Sequence, residues 1–218
     1  MAVIHNTTIK PTKTELLTPW LPTRAWYLGG ADQPELVKAG GFRLDDPEGE
    51  VGIEFIVVTD RATASAASYL VPLSYRGAPL EGAEHALVGT MEHGVLGTRW
   101  IYDGAHDPVV VAQLLALIEG QVVAQSQSVS HALDQDVTSA YVEGTETDFD
   151  FTGAAAIDDQ DGTELTAESG ATLRLHRVLR PLPTDAPALR SGAAGQVTGV
   201  WEAADGTRTR GLIAELRE

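Results

Sequence analysis

The sequence contains no cysteine, which excludes disulfides, thiolate metal sites and a cysteine nucleophile. It also lacks any continuous apolar run long enough to cross a bilayer. Its first residues, Met1-Ala2-Val3-Ile4-His5-Asn6, do not have the basic-then-apolar order of a secretory signal. No membrane contact and a cytoplasmic location are therefore expected. Basic residues are scarce: 15 Lys and Arg against 31 Asp and Glu give a formal net charge of −16. Such a field repels polyphosphate backbones and anionic lipid surfaces, so nucleic acid is not expected as a partner. What is present is ordinary for a globular protein. The 218 residues are 43% apolar and 21% charged, enough to bury a core as one domain or two small ones.

The charge is unevenly distributed. From Asp134 to Glu168 there are eleven acidic residues and no Lys or Arg; Arg174, Arg177, Arg180, Arg190, Arg208, Arg210 and Arg217 follow. Acidic solvated loops beside a mixed-charge sheet fit this pattern. A basic groove for a sugar phosphate or nucleotide is the other reading.

Thr12-Lys13-Thr14-Glu15 has the spacing of a capping box, with Leu16, Leu17 and Trp20 as a short apolar face. Pro19 and Pro22 are expected to keep that helix short. Val51, Ile53, Phe55 and Val57 alternate, as do Tyr69, Val71, Leu73 and Tyr75, which predicts two strands with one apolar face each and a loop over Arg61–Ser68. Ala86–Met91 and Thr98–Tyr102 read as paired strands joined around Gly94 and Gly97. Asp107 as N-cap, Pro108 as first residue, a stripe of Val111, Leu114, Leu115 and Ile118, and Gly120 as stop predict a helix.

Downstream, Gln121–Ser130 is rich in Gln and Ser. Thr147–Ile157 and Gly170–Leu179 read as strands about an Asp158-Asp159-Gln160-Asp161-Gly162 turn. Pro181–Gly195 reads as a linker or extended loop, and Gln196–Glu202 with Thr207–Glu215 as a hairpin around Asp205-Gly206. The architecture implied is α+β. An antiparallel sheet with two helices occupies residues 1–125 and a mostly β part residues 126–218, with the boundary between about Gln121 and Asp136.

Residues 81–107 concentrate Glu81, Glu84, His85, Glu92, His93, Asp103, His106 and Asp107. His85, Glu92, His93, Asp103 and His106 form a candidate polar site, since imidazole and carboxylate suit a divalent metal or acid–base work. No H-E-x-x-H or facial-triad spacing accompanies them, and each Glu-His pair would split across a strand. Asp159, Asp161, Gly162 and Glu168 fall in register with a calcium loop, but Ile157 occupies its first ligand position, so an acidic turn is expected instead. No metal and no catalytic residue is assigned. Trp26 and Tyr27 are candidates for ligand contact as a sugar-stacking platform, against a role as core or interface anchors.

The segment Trp20-Leu21-Pro22-Thr23-Arg24-Ala25-Trp26-Tyr27-Leu28-Gly29 resembles the W-L…W-Y-x-G opening of maltokinase-type sugar kinases. Glu35-Leu36-Val37, Val51–Val58, Tyr69-Leu70-Val71-Pro72-Leu73-Ser74-Tyr75 and Tyr102-Asp103-Gly104-Ala105-His106-Asp107-Pro108 extend the similarity over about residues 12–120. Ala25 stands where that family usually has an Arg beside the Trp. The resemblance implies the N-terminal cap of a two-lobed, ATP-dependent enzyme that phosphorylates maltose for α-glucan synthesis. It further implies that 126–218 is like a degenerate kinase N-lobe, with Arg174 in Ala171-Thr172-Leu173-Arg174-Leu175 at the place of a phosphate-contacting Lys.

Phosphoryl transfer needs a positioned base and acidic Mg²⁺ ligands. These residues contain no H-x-D-x-x-x-x-N loop, and Asp148-Phe149-Asp150 precedes the Arg174 strand, the reverse of the kinase order. The expectation is a non-catalytic, cap-like module, binding or regulatory, in maltose or α-glucan metabolism. Its partner would be a sugar kinase, a glucan-processing enzyme or a second copy, and no cofactor is expected. The alternative is a reduced ATP- and Mg-dependent sugar phosphotransferase, or a hydrolase or metal-binding protein using the 81–107 cluster.

Overall fold

The computed structural model describes residues 9–30, 32–62, 66–127, 132–142 and 149–218. In chain order, β1 (Ile9–Lys10) precedes α1 (Lys13–Trp20). The capping box forms in full: the Thr12 hydroxyl accepts from the Glu15 N–H at 3.3 Å, and the Glu15 carboxylate accepts from the Thr12 N–H at 2.7 Å. Pro19 lies inside the helix rather than ending it. At so late a position it removes only one last-turn hydrogen bond, and the chain then tightens into a single 3₁₀ turn, Leu21–Thr23, around Pro22.

Next come β2 (Leu36–Leu44), β3 (Gly52–Asp60), β4 (Ala67–Arg76), β5 (Leu87–His93), β6 (Gly97–Asp103) and α2 (Pro108–Ile118). The two alternating runs are the adjacent strands β3 and β4, paired from Gly52↔Tyr75 to Asp60↔Ala67. The expectation of one apolar face each is corrected for both strands, which are buried on both faces over most of their length. Ile53, Phe55 and Val57 join Leu70 and the α2 side chains in one core, while Ile56 and Val58 join Tyr69, Val71, Leu73 and α1 in another. Pro72 is tolerated inside β4 because its missing N–H falls between two partners on that side. The short strand β12, defined below, covers Ser68–Tyr69, and β6 covers Leu73–Arg76. In α2 the Asp107 carboxylate accepts from the Val109 N–H at 3.0 Å, and Gly120 closes the helix at φ +74°.

The rest of the chain gives β7 (Gln125–Ser126), β8 (Thr138–Tyr141), β9 (Ala156–Asp158), β10 (Gly162–Thr166), β11 (Thr172–His176), β12 (Val178–Leu179), β13 (Gly195–Glu202) and β14 (Arg208–Arg217). All pairings are antiparallel, in the order β1-β5-β6-β4-β3-β2-β13-β14-β11-β10-β9, with β12 on β4, β7 on β2 and β8 on β13. An antiparallel sheet with two α-helices among the described residues is the α+β class. Two strand expectations are corrected. Within 147–157 only Ala156–Asp158 is a strand; Phe149 and Phe151 are buried from irregular backbone, and Thr147 and Asp148 lie outside the described residues. The run 170–179 breaks at Arg177, where the chain leaves β14, the partner of β11, and crosses to β4 as β12.

The strands of the first half join those of the second in the middle of the sheet, where β2 meets β13 at Trp201↔Gly40. Gly40 permits this approach, since a Cβ there would lie 3.2 Å from the Val200 carbonyl oxygen. Side chains of β2, β3, α2, β10, β11, β13 and β14 share one core. Among the described residues no helix is long and apolar enough to cross a membrane.

Candidate functional site

Trp26 is fully buried. Its ring lies 5.9 Å from both Trp20 and Tyr69, and the Arg177 guanidinium sits 5.3 Å from its centroid. A ring enclosed on these sides is an anchor that holds the 20–30 segment on the sheet. Tyr27, half-buried beside Tyr69, donates its hydroxyl to Asp60 Oδ2 at 2.8 Å. Burial, and then the Asp60 carboxylate, push its phenol well above the ordinary tyrosine range. Asp60 also accepts from the backbone N–H groups of Glu35 and Ala62, so the pair ties three stretches of chain together.

The 81–107 candidates separate into three places. His85 and His106 meet edge to face, Nε2 to Nδ1 at 3.1 Å, on a cleft of ≈ 450 Å³ whose other wall includes Phe149–Ala156. Burial lowers the His106 imidazole, with His85 and Arg177 adding to the shift and Asp103 opposing it. Asp103 faces the interior and is bound by Arg177. Glu92 and His93 sit at the far end of β5. The Glu92 carboxylate accepts from Thr98, and His93 Nδ1 accepts from the N–H groups of Val95 and Leu96. Asp107 caps α2 and takes Arg76 in a two-point pair at 2.7 Å.

Arg174 is held by the two oxygens of Asp159 at 2.7 Å, with Glu164 at 3.5 Å. That guanidinium, with two backbone N–H donors, holds Asp159 well below the usual carboxylate range. The calcium-like register is thus a hairpin turn: Asp159 and Asp161 are ion-paired, and Gly162 is in β10 with no room for a Cβ against the Leu175 carbonyl. Among the described residues no three His, Asp or Glu side chains are grouped to hold a metal.

The region from Trp20 to the cap of α2 carries the aromatic anchor, β2–β6 and the whole 81–107 set. Residues 20–107 match the family described as the maltokinase N-terminal cap domain. This region is maltokinase-cap-like. The match is shorter than the 12–120 similarity read from the sequence. It ends at Asp107, so α2 and the second half lie outside it. Comparison with curated protein sequences finds no match to the chain.

Two centres, one in the cap-like region and one on the chain that follows it, were not singled out from the sequence. The first is Glu54, almost fully buried on β3, which binds Lys13 Nζ at 2.5–2.7 Å, the Tyr75 hydroxyl at 2.6 Å and Gln127 Nε2 at 2.9 Å. Burial and the Glu54 charge push the Tyr75 phenol far up. The available signal was an acid inside the apolar run Ile53–Val58. The second is Arg177, wholly buried, with Nη2 on both Asp103 oxygens and Nε donating to Thr163 at 2.7 Å. It fastens the 162–179 strands to the end of the cap-like sheet.

Proposed function

We propose that this chain acts by binding rather than by chemistry, as a cap-type module that docks onto or regulates a sugar kinase or glucan-processing enzyme in maltose or α-glucan metabolism. The match of residues 20–107 to the maltokinase cap carries this reading. The geometry supports it, because the charged groups that looked reactive in sequence are engaged in holding the fold. Asp103 is bound to Arg177, Asp107 to Arg76, and Arg174 to Asp159. The β12-to-β4 crossover and the Arg177–Asp103 contact support reading 126–218 as a part kept close to the cap.

The test is a phosphate-transfer assay from ATP to maltose with Mg²⁺, run on the purified chain alone and on a maltokinase-type enzyme with and without the chain. The expected outcome is no transfer by the chain alone, together with a complex on gel filtration or a changed kcat or KM of the enzyme. Transfer by the chain alone overturns the reading in favour of a reduced phosphotransferase. A hydrolytic or metal-dependent function rests on the His85–His106 pair at the mouth of its cleft. It predicts that His106→Ala abolishes whatever turnover is found.

A further inference from the structure

A second cleft lies on the face of the cap-like sheet that α1 only partly covers. On that face stand Arg43 and Glu54, register partners on β2 and β3, with Tyr75 on β4, Arg99 on β6 and His93 on β5 at positions stepped along the neighbouring strands. Lys13, in the first turn of α1, reaches over from one end. Between them is a cavity of ≈ 420 Å³ with Val51, Met91 and Leu96 as apolar wall. That is the size of pocket that takes a monosaccharide-sized ligand.

In this cleft bases and acids are balanced, Lys13, Arg43 and Arg99 against Asp46, Glu50 and Glu54. In a chain with twice as many acids as bases, most arginines have found a carboxylate: Arg76, Arg174, Arg177, Arg180, Arg190, Arg208 and Arg217 are all ion-paired. Among the described residues Arg43 and Arg99 have no such partner, nor do Arg24, Arg61 and Arg210, but only Arg43 and Arg99 of these five line this cleft.

The acids of the cleft are committed elsewhere. Asp46 accepts from the backbone N–H groups of Glu48, Glu50 and Val51 and so shapes the β2–β3 connection. Glu54 is covered by Lys13, Tyr75 and Gln127. Glu50 is exposed at the rim. Two arginines without a carboxylate partner on the lining of a hollow with an apolar wall, the buried acid there already bound by Lys13, fit a planar or tetrahedral anion. The larger arginine-lined cleft around Arg174, Arg180 and Arg190, ≈ 750 Å³, differs in this respect, because its guanidinium groups are neutralised by Asp159, Asp161 and Glu215.

We infer that the Arg43–Arg99 cleft is a binding site for a small organic anion, its phosphate or carboxylate held by the two arginines and its body packed over Tyr75 and Met91. The site needs neither a docking partner nor a catalytic role, so it stands or falls apart from the cap reading.

Calorimetric titration at constant ionic strength tests it, with glucose 1-phosphate, gluconate, inorganic phosphate and neutral glucose as probes. At least one anion is expected to bind and glucose not to. Arg43→Gln and Arg99→Gln are each expected to weaken anion binding by roughly tenfold or more. Arg43→Lys is expected to lose less, and Arg180→Gln and Arg190→Gln nothing. Both cleft arginines are unpaired, so an unchanged thermal midpoint without ligand shows that the variants fold. No binding of any anion, equal binding of glucose, or unchanged affinity in the Arg43→Gln, Arg99→Gln double variant overturns the proposal.

Discussion

Arg177 Nη2 reaches both oxygens of Asp103, at 2.6 and 2.8 Å, with neither side chain open to solvent. The two residues are 74 apart in sequence, and their contact joins the end of β6 to the junction of β11 and β12. Removing one partner leaves a charge buried without compensation, whereas replacing both with apolar groups removes the desolvation penalty along with the attraction. Asp103→Asn is expected to lower unfolding stability by about 3–5 kcal/mol, and Arg177→Met by a similar amount. The double variant Asp103→Leu, Arg177→Met should lose clearly less than the sum. Urea unfolding of the four proteins gives the coupling, and additive losses would show that the contact holds nothing together.

The Asp107 carboxylate does two jobs at once, capping α2 through the Val109 N–H and receiving Arg76. Burial is the largest single influence and opposes its ionisation, but the Arg76 hydrogen bonds and charge, with the other donors around the carboxylate, together outweigh it and hold the group below the usual carboxylate range. Asp107→Ala loses both, for about 2–4 kcal/mol. Asp107→Asn keeps an acceptor for the cap and loses mainly the ion pair, so its thermal midpoint should lie between the other two. Equal midpoints for the two variants would mean that the cap contributes nothing.

How much of this was readable beforehand depends on the range of the interaction. The capping box at Thr12–Glu15, the Asp107-Pro108 start, the Gly120 stop and the Asp205-Gly206 hairpin are fixed within a few residues, and each formed. The helix over Lys13–Trp20 is as short as Pro19 and Pro22 lead one to expect, whereas the 147–157 run misled because local propensity gives way to packing: Phe149 and Phe151 are buried without strand geometry. The partners of Arg177 and Glu54 were not legible because they are remote in sequence, even though Glu54 stands out as an acid in an apolar run. Asp103 is 74 residues away from Arg177, and Lys13 and Gln127 are 41 and 73 away from Glu54. The 81–107 cluster looked like one site because its members are close in sequence, and the β5–β6 hairpin carries them to different ends and faces.

His176 is the residue through which stability should depend most visibly on pH. Burial pushes its imidazole down to about 4; Glu215 opposes the shift, and Arg174 and Arg190 add to it. Its Nε2 is buried with no hydrogen-bond partner among the described residues. A folded-state value below the ordinary 6.5 means that the unfolded chain binds the extra proton across that window. The contribution is therefore fully present above about pH 6.5 and is lost as pH falls toward 4, by roughly 1–3 kcal/mol. Urea unfolding at pH 7.5, 6, 5 and 4 should show a shallower decline for His176→Gln than for the parent. Parallel declines would place the acid sensitivity elsewhere, with His106, whose imidazole burial also lowers, as the next residue to replace.

Gly41 offers the sharpest test of how β2 supports the anion cleft. Its φ is +124°, and a Cβ would sit 2.1 Å from the Phe55 carbonyl oxygen and 2.6 Å from Gln127 Nε2. Backbone cannot yield there without parting β2 from β3, and the Gln127 amide that donates to Glu54 would be displaced as well. Gly41→Ala is thus expected to cost about 3 kcal/mol or more, combining left-handed strain with steric overlap. Gly49 is the control: its φ is +75°, but a Cβ there meets nothing within 4 Å. Gly49→Ala carries the conformational penalty alone, about 1 kcal/mol. A difference of 2 kcal/mol or more between the two, measured by urea unfolding, assigns the excess to the β2–β3 approach and the Gln127–Glu54 contact. Equal losses would show that β2 and β3 can separate without cost, and that the register placing Arg43 beside Glu54 is not held at this point.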